Sequence, residues 1–152
     1  YQWLLSFRDE FIATQNLAAY QLHIKISPED IEVLFDTGQL HQVMWNLCSN
    51  AINHSNMDRS NVMINITGKI DAQTRQPTID IIDNGPGIDN ETAANIFDPF
   101  YTTSSEGTGL GLYITKEVIE SNRAKIRHIT PQTGGTCFRI NFQKAVKRTD
   151  VK

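Results

Sequence analysis

Three groups of residues in this sequence have types and spacing that suit chemistry. The first is a polar stripe: Gln42, Asn46, Asn50 and Asn53 stand at i, i+4, i+8 and i+11, which on a helix puts them on one face. Asparagine is a poor helix former, so its three occurrences carry a propensity cost of roughly half a kilocalorie each. Two readings stay open: a solvated face, where Glu, Lys or Gln would serve better, or a row of neutral amides facing a phosphate chain and its Mg²⁺. The second group is Asp83-Asn84-Gly85-Pro86-Gly87, directly after Ile81-Ile82. A carboxylate ending an apolar strand sits at the rim of a sheet. Ionised, it only accepts hydrogen bonds, so its partner would be an exocyclic amine such as adenine N6. The glycines would let the backbone pass close to a planar ring. An ordinary Asp-Asn-Gly turn is the plainer alternative.

The third group is Gly107-Thr108-Gly109-Leu110-Gly111-Leu112, after Thr102-Thr103-Ser104-Ser105-Glu106. Alternating glycines opening a helix present bare backbone amides, a ready anion site. It is not a dinucleotide fingerprint, because from Gly109 the third glycine would fall at Ile114. Nor is it a P-loop, since no Gly-Lys-Ser/Thr triplet occurs.

These groups need elements to hold them. Residues 37–54 have helical periodicity, with Leu40, Val43, Met44, Leu47, Cys48 and Ala51 on one arc that must face a sheet. Alternation predicts strands at 22–26, 31–35, 62–70 and 78–82, the last two joined by the polar loop 71–77. After the turn 84–87 come a short helix at 91–96, an irregular loop at 98–106, a helix at 110–120, and strands at 125–130 and 136–142. Trp3, Leu4, Phe7, Phe11 and Ile12 recur at helical spacing, predicting an opening helix over residues 1–16. Because residue 1 is Tyr, that helix reads as a piece cut from something longer. Strands interrupted by helices predict an α+β two-layer sandwich, one mixed and mainly antiparallel sheet with helices on a single face.

Composition bounds the function classes. The 152 residues are 39% hydrophobic and 20% charged, ordinary for a soluble globular domain. Fourteen Lys and Arg against 17 Asp and Glu give a net charge of −3, with no basic footprint for nucleic acid. The one basic cluster, Lys144, Lys147, Arg148 and Lys152, reads as part of a disordered tail over 146–152. No apolar run approaches a membrane span. Cys48 and Cys137 stand far apart among apolar neighbours, which suits buried, reduced thiols in the cytoplasm.

In order and spacing, the three groups resemble the catalytic, ATP-binding domain of bacterial sensor histidine kinases, within the wider group that includes Hsp90, type II topoisomerase ATPase domains and the mismatch-repair ATPase. Gln42–Ala51 resembles the family's N box, Asp83–Gly87 its G1 box, Ile96–Thr103 its F box, Gly107–Leu112 its G2 box, and Gly134–Phe138 its final glycine-and-threonine turn. Phe35-Asp36, Gln42–Cys48 and Asn53-His54-Ser55 look most like the nitrogen-type kinases, especially the pilin-regulating ones.

The resemblance implies the Bergerat ATP-binding fold over residues 17–145, with 1–16 a connector from an upstream dimerisation region. It implies ATP and Mg²⁺ as cofactors. Asn50 would be the Mg²⁺ ligand, and Asn46 would support the phosphates or the metal's waters, the two forming the catalytic pair. Asp83 would bind adenine N6, with Gly85, Gly87 and Ile88 shaping the slot and Thr136 beside it. Gly107, Thr108, Gly109, Leu110, Gly111 and Leu112 would donate amides to the phosphates, and residues 99–108, with Thr102 and Thr103, would form a lid. Asn53 and His54 fall where relatives often have a lysine and an aromatic. His54 would either stack on the base or bond a helix-end carbonyl.

Two departures matter. Hydrolytic relatives have a water-activating Glu where this sequence has Asn46, an amide without useful basicity, which favours phosphoryl transfer over hydrolysis. Close relatives often have a lysine where Ser104 stands. His23, His41, His54 and His128 all lack the context of a phosphoacceptor histidine, and His23 and His128 read as strand-surface residues. The implied activity is transfer of the γ-phosphoryl group of Mg-ATP to a histidine on a dimerisation domain, for relay to a response regulator. The whole protein would be a homodimeric inner-membrane sensor with this part in the cytoplasm, touching the membrane only through upstream segments. The rival readings are a nucleotide-operated clamp ATPase and a non-catalytic interaction module of the same fold.

Overall fold

The computed structural model describes residues 1–103 and 107–145. Helix α1 spans Gln2–Thr14. It buries Leu4, Phe7 and Phe11 and ends in a Schellman turn: Asn16 takes a positive φ, while its N–H bonds Ala13 O and the Leu17 N–H bonds Ile12 O. Strand β1 (Leu22–Ser27) follows a short 3₁₀ turn. Helix α2 spans Thr37–Asn53, capped by Asp36, whose carboxylate accepts the Gln39 N–H at 2.8 Å. All six apolar arc residues of α2 are buried.

Strands β2 (Ile64–Ile70) and β3 (Pro77–Asp83) form a hairpin. Its loop is held by Asp71, which accepts the N–H groups of Gln73 and Thr74. Helix α3 is the single turn and a half Asn90–Asn95, α4 is Gly111–Ser121, and β4 (Lys125–Ile129) and β5 (Cys137–Asn141) complete the chain's elements. The sheet order is β1-β2-β3-β5-β4. The β1–β2 pair is parallel, with α2 as its crossover, and the other pairs are antiparallel. The expected two-layer α+β sandwich is therefore found, with the helices on one side of an open mixed sheet. Ile24, Ile66, Ile81, Phe138 and Ile140 face them from the sheet.

One expected strand does not form. Residues 31–35 pair with the sheet only through an isolated bridge from Val33 to Lys144. Their alternation is satisfied by packing instead: Ile31, Val33 and Phe35 turn toward the core while Leu34 is exposed, and Phe35 meets Phe142 edge-on at 5.7 Å. The segment is an apolar strap at the sheet margin that ends at the cap of α2.

α1 and α2 are joined by aromatic side chains. Trp3 stacks on Phe7 and Phe7 on Phe11, Trp45 meets Phe11 edge-on at 5.0 Å, and His41 stacks on Trp45. The far end of α4 is tied to the start of α2 by Asn122, which bonds the Asp36 N–H and the Gln39 side chain. On the uncovered face of the sheet, Arg139 grips Asp80 with two hydrogen bonds, at 2.6 and 2.7 Å. Both cysteines are buried and free. No described helix is long and apolar enough to cross a membrane. The tail expected at 146–152 lies outside the described residues.

Candidate nucleotide site

The polar stripe of α2 runs between the two other groups. At its upstream end the Asn46 amide donates to Gly111 O at 2.9 Å and to Thr115 Oγ1, both in the first turns of α4. Thr115 in turn donates to Gly111 O. Asn46 thus fastens α2 to the start of α4, and its Oδ1 has no hydrogen bond among the described residues. One turn on, Asn50 is half-buried, and its side chain makes no hydrogen bond among the described residues. Asn53 and His54 are exposed at the end of the helix. The His54 backbone N–H closes the helix on Asn50 O, while its ring bonds no carbonyl among the described residues. Beyond it, Ser55 lies against Gly85: a Cβ on Gly85 would come within 3.5 Å of Ser55 Cα. At ~1.5 Å per residue, Asn46 and Asn53 are about 10 Å apart along the axis, a span suited to the reach from a nucleoside to its outer phosphates.

Asp83 is the last residue of β3, half-buried at the sheet rim. Its Oδ1 accepts the N–H groups of Gly85 at 2.9 Å and Thr136 at 3.1 Å, and its own N–H bonds Thr136 O. Those bonds fix the carboxylate's orientation. Its Oδ2 has no hydrogen bond among the described residues. Burial pushes the Asp83 carboxyl above the usual carboxylate range, partly offset by the two amides and by His128 and His54.

The turn around it has no spare room. A Cβ on Gly135, which has φ +81°, would lie 1.9 Å from Asp83 O, and one on Gly87 would lie 3.1 Å from Gly135 O. Asn84 points away and anchors the turn, accepting the Met63 N–H and donating to Asn61 O. Ile88 packs against the core beside it.

At the start of α4, Leu110 is the cap and Gly111 the first helical residue. Gly109 (φ +71°) lies flat on the backbone of Phe100, 2.3 Å from its carbonyl carbon to an added Cβ. The lid stretch is therefore tied to the glycine loop at that point. Gly107, Thr108, Thr102 and Thr103 are exposed, and Leu112 is partly buried against the core. Ser104 and residues 105–106 of the expected lid lie outside the described residues.

The structure thus brings Asn46, Asn50 and Asn53, the Asp83 turn and the α4 start to one margin of the sandwich. A separate cavity of about 530 Å³ opens between α2 and α4, lined by His41, Trp45, Ser49 and Ile114, and it meets the stripe at Gln42 and Asn46 and the α4 start at Gly111. Asp83 does not line it, so the polar geometry, not that cavity, defines the candidate site.

Among the described residues no group of three or more His, Cys, Asp or Glu side chains can hold a metal by itself. The unbonded Asn50 amide suits a Mg²⁺ whose remaining ligands are phosphate oxygens and waters. Sequence reasoning placed His128 on the strand surface. In the structure it is half-buried, with a buried Nε2. No sequence signal marks it, nor the anchoring role of Asn84.

The family model described as "Histidine kinase-, DNA gyrase B-, and HSP90-like ATPase" matches residues 35–146. The chain is 38% identical over 141 residues to the sensor protein kinase PilS of Pseudomonas aeruginosa, covering 93% of this chain and 26% of that protein. To sporulation kinase A of Bacillus subtilis it is 33% identical, covering 85% and 20%. Among solved structures, the nucleotide-free catalytic domain of histidine kinase ThkA aligns with a TM-score of 0.73 at 29% identity, covering 93% of this chain and 92% of that one. The chain spans about a quarter or less of both curated relatives.

Proposed function

This chain belongs to the histidine kinase-, DNA gyrase B- and HSP90-like ATPase family, and we propose that it is the ATP-binding catalytic domain of a two-component sensor kinase. The observation that carries the reading is Asp83: a carboxylate with one oxygen fixed by two backbone amides and the other left at the sheet rim. In this reading Oδ2 accepts from adenine N6, Gly85, Gly87 and Ile88 form the slot, and Thr136 closes its edge. The α2 stripe carries the nucleotide toward α4, whose opening amides at Gly109 to Leu112 receive the phosphates.

Asn50 would hold Mg²⁺ through its amide oxygen, joined by phosphate oxygens and waters. Bound there, the ion neutralises charge on the phosphates. Asn46 keeps the α4 amides aimed at them by holding the Gly111 carbonyl. The lid segment, tied to Gly109 through Phe100, limits water at the γ-phosphate.

The acceptor we propose is a histidine on a dimerisation domain of the same protein. Its ring nitrogen attacks the γ-phosphorus, the bond to the β,γ-bridging oxygen breaks, and ADP leaves. The phosphoryl group then passes to an aspartate of a response regulator; a ThkA structure has been solved in complex with the response regulator protein TrrA. Residues 17–145 would be the catalytic unit and 1–16 the connector, in a homodimer with this part in the cytoplasm, where ATP is. Hydrolysis as the main activity is disfavoured because Asn46 supplies no base and its amide nitrogen is committed to α4.

The test is calorimetric titration of ATP with Mg²⁺ into this chain and into Asp83→Asn. Binding by the parent and at least tenfold weaker binding by the variant is the expected result. A folded parent that binds no ATP, or a variant that binds equally well, overturns the reading. Steady phosphate release from the chain would favour the clamp ATPase instead.

A further inference from the structure

Thr115, on α4, is only 4% exposed. Valine would fill the same space without a polar group to satisfy, so the buried hydroxyl needs a use. Its hydrogen goes to Gly111 O at 2.8 Å, one turn back along the helix. A hydroxyl has one hydrogen, so toward α2 the Thr115 oxygen can only accept, and Gly111 O, a carbonyl, can only accept as well. Both call for the nitrogen end of the Asn46 amide, and Nδ2 donates to each. An amide turned the other way would set its oxygen against two acceptors. Gly111 keeps the space for it: a Cβ there would stand 3.3 Å from Asn46 Oδ1 and 3.5 Å from Nδ2. The network therefore decides which end of the amide is left over, and it is Oδ1. That oxygen is not sealed in, because among the described residues the buried side-chain nitrogen or oxygen without a partner is His128 Nε2.

We propose that Thr115 is a positioning residue: its hydroxyl holds the Asn46 nitrogen on α4, so that Asn46 serves the nucleotide through Oδ1, by way of a metal-bound water and not a phosphate oxygen. This deepens the nucleotide reading above and rests on it. The residue types alone left Asn46 able to support either the phosphates or the metal's waters. Phosphate oxygens accept hydrogen bonds, and an amide oxygen facing them is repelled. Water on a cation donates, and a charged donor strengthens the bond. Asn50, the residue assigned to Mg²⁺, stands one helical turn from Asn46 on the same stripe, so the two amides are neighbours. Asn46 then favours the nucleotide only in its metal-loaded form. Metal-free ATP has nothing to give Oδ1 and should be indifferent to Thr115.

The experiment uses this chain, its Thr115→Val and Thr115→Ser variants, Asn46→Ala, and the Asn46→Ala/Thr115→Val pair. Thermal melting of the free proteins is followed by calorimetric titration with Mg-ATP and with ATP in EDTA. Thr115→Val should bind Mg-ATP about three- to tenfold more weakly, the scale of one hydrogen bond. Its metal-free ATP affinity should match the parent's, and Thr115→Ser, which keeps the hydroxyl, should match the parent in both titrations. Asn46→Ala should lose at least as much Mg-ATP affinity, and adding Thr115→Val to it should cost nothing more. If Thr115→Val weakens both forms of ATP alike, or neither, or adds its full loss on top of Asn46→Ala, the inference is overturned while the nucleotide site stands. Should Thr115→Val melt below the assay temperature, Asn46→Ala carries the comparison: an equal loss of metal-free ATP would mean that Asn46 holds phosphate and would overturn it. If the parent binds no ATP even with Mg²⁺, the site assignment falls and this inference falls with it.

Discussion

Gly134 and Gly135 offer a controlled comparison within one turn. Both have positive φ, +84° and +81°, so alanine at either costs roughly 1–2 kcal/mol in backbone strain. Around Gly134 nothing lies within 4 Å of an added Cβ, whereas at Gly135 that atom would stand 1.9 Å from Asp83 O. Reaching ordinary contact at 3.4 Å means parting the β3 end from the turn by about 1.5 Å, against an overpacking cost of about 1–3 kcal/mol. The same displacement strains the two Asp83–Thr136 hydrogen bonds, each worth about 1 kcal/mol. Gly135→Ala should therefore lie about 2–4 kcal/mol below Gly134→Ala. At about 2–4 °C per kcal/mol for a chain of this size, that separates their melting temperatures by on the order of 10 °C. Urea denaturation with a shared m value reads the difference, and ATP titration should show loss only in Gly135→Ala. Equal destabilisation of the two variants would refute the argument that the turn is closed by contact between Gly135 and Asp83.

Three further outcomes follow. Because burial raises the folded-state pKa of Asp83, its ionised form weakens the fold at neutral pH, and the penalty fades as pH falls through the folded pKa toward the ordinary carboxylate value. Asp83→Asn should thus melt at or above the parent at pH 7, with the gap closing by about pH 4; a gap that widens in acid would contradict the sign. Arg139→Met, which strands the largely buried Asp80, should cost about 2–4 kcal/mol in urea denaturation, and adding Asp80→Leu should restore much of it. Burial pushes the Cys48 thiol to about 12 and the Cys137 thiol to about 11, so neither should react with a thiol-specific reagent at pH 8 until urea unfolds the chain; rapid labelling of the folded protein would count against this.

Local rules made much of this legible. The arc of α2 and its polar stripe are separable by periodicity alone, and the Asp83 and Gly107–Leu112 groups fall at element ends, as their residue types require. What escaped depends on distant partners. The segment 31–35 alternates like a strand, but only its neighbours in space decide that it packs as a strap. The parallel β1–β2 pairing joins residues some 40 apart in sequence. Asn46 was legible as a polar residue facing phosphate, yet its bond to Gly111 spans 65 positions. His128 reads as one more polar residue on an alternating strand until Phe138 is placed beside it.

The aromatic contacts between α1 and α2 have an optical consequence. The chain has two tryptophans, Trp3 and Trp45, and both lie in that cluster. Tryptophan emission therefore reports whether the N-terminal helix is seated on its neighbour, while the Asp83 end of the sheet holds no tryptophan. Fluorescence and far-ultraviolet dichroism followed through one unfolding titration become independent probes of the two regions. Coincident curves would mean that helix and sheet melt as one cooperative unit, and an earlier fluorescence transition would mean that the helix lifts away first.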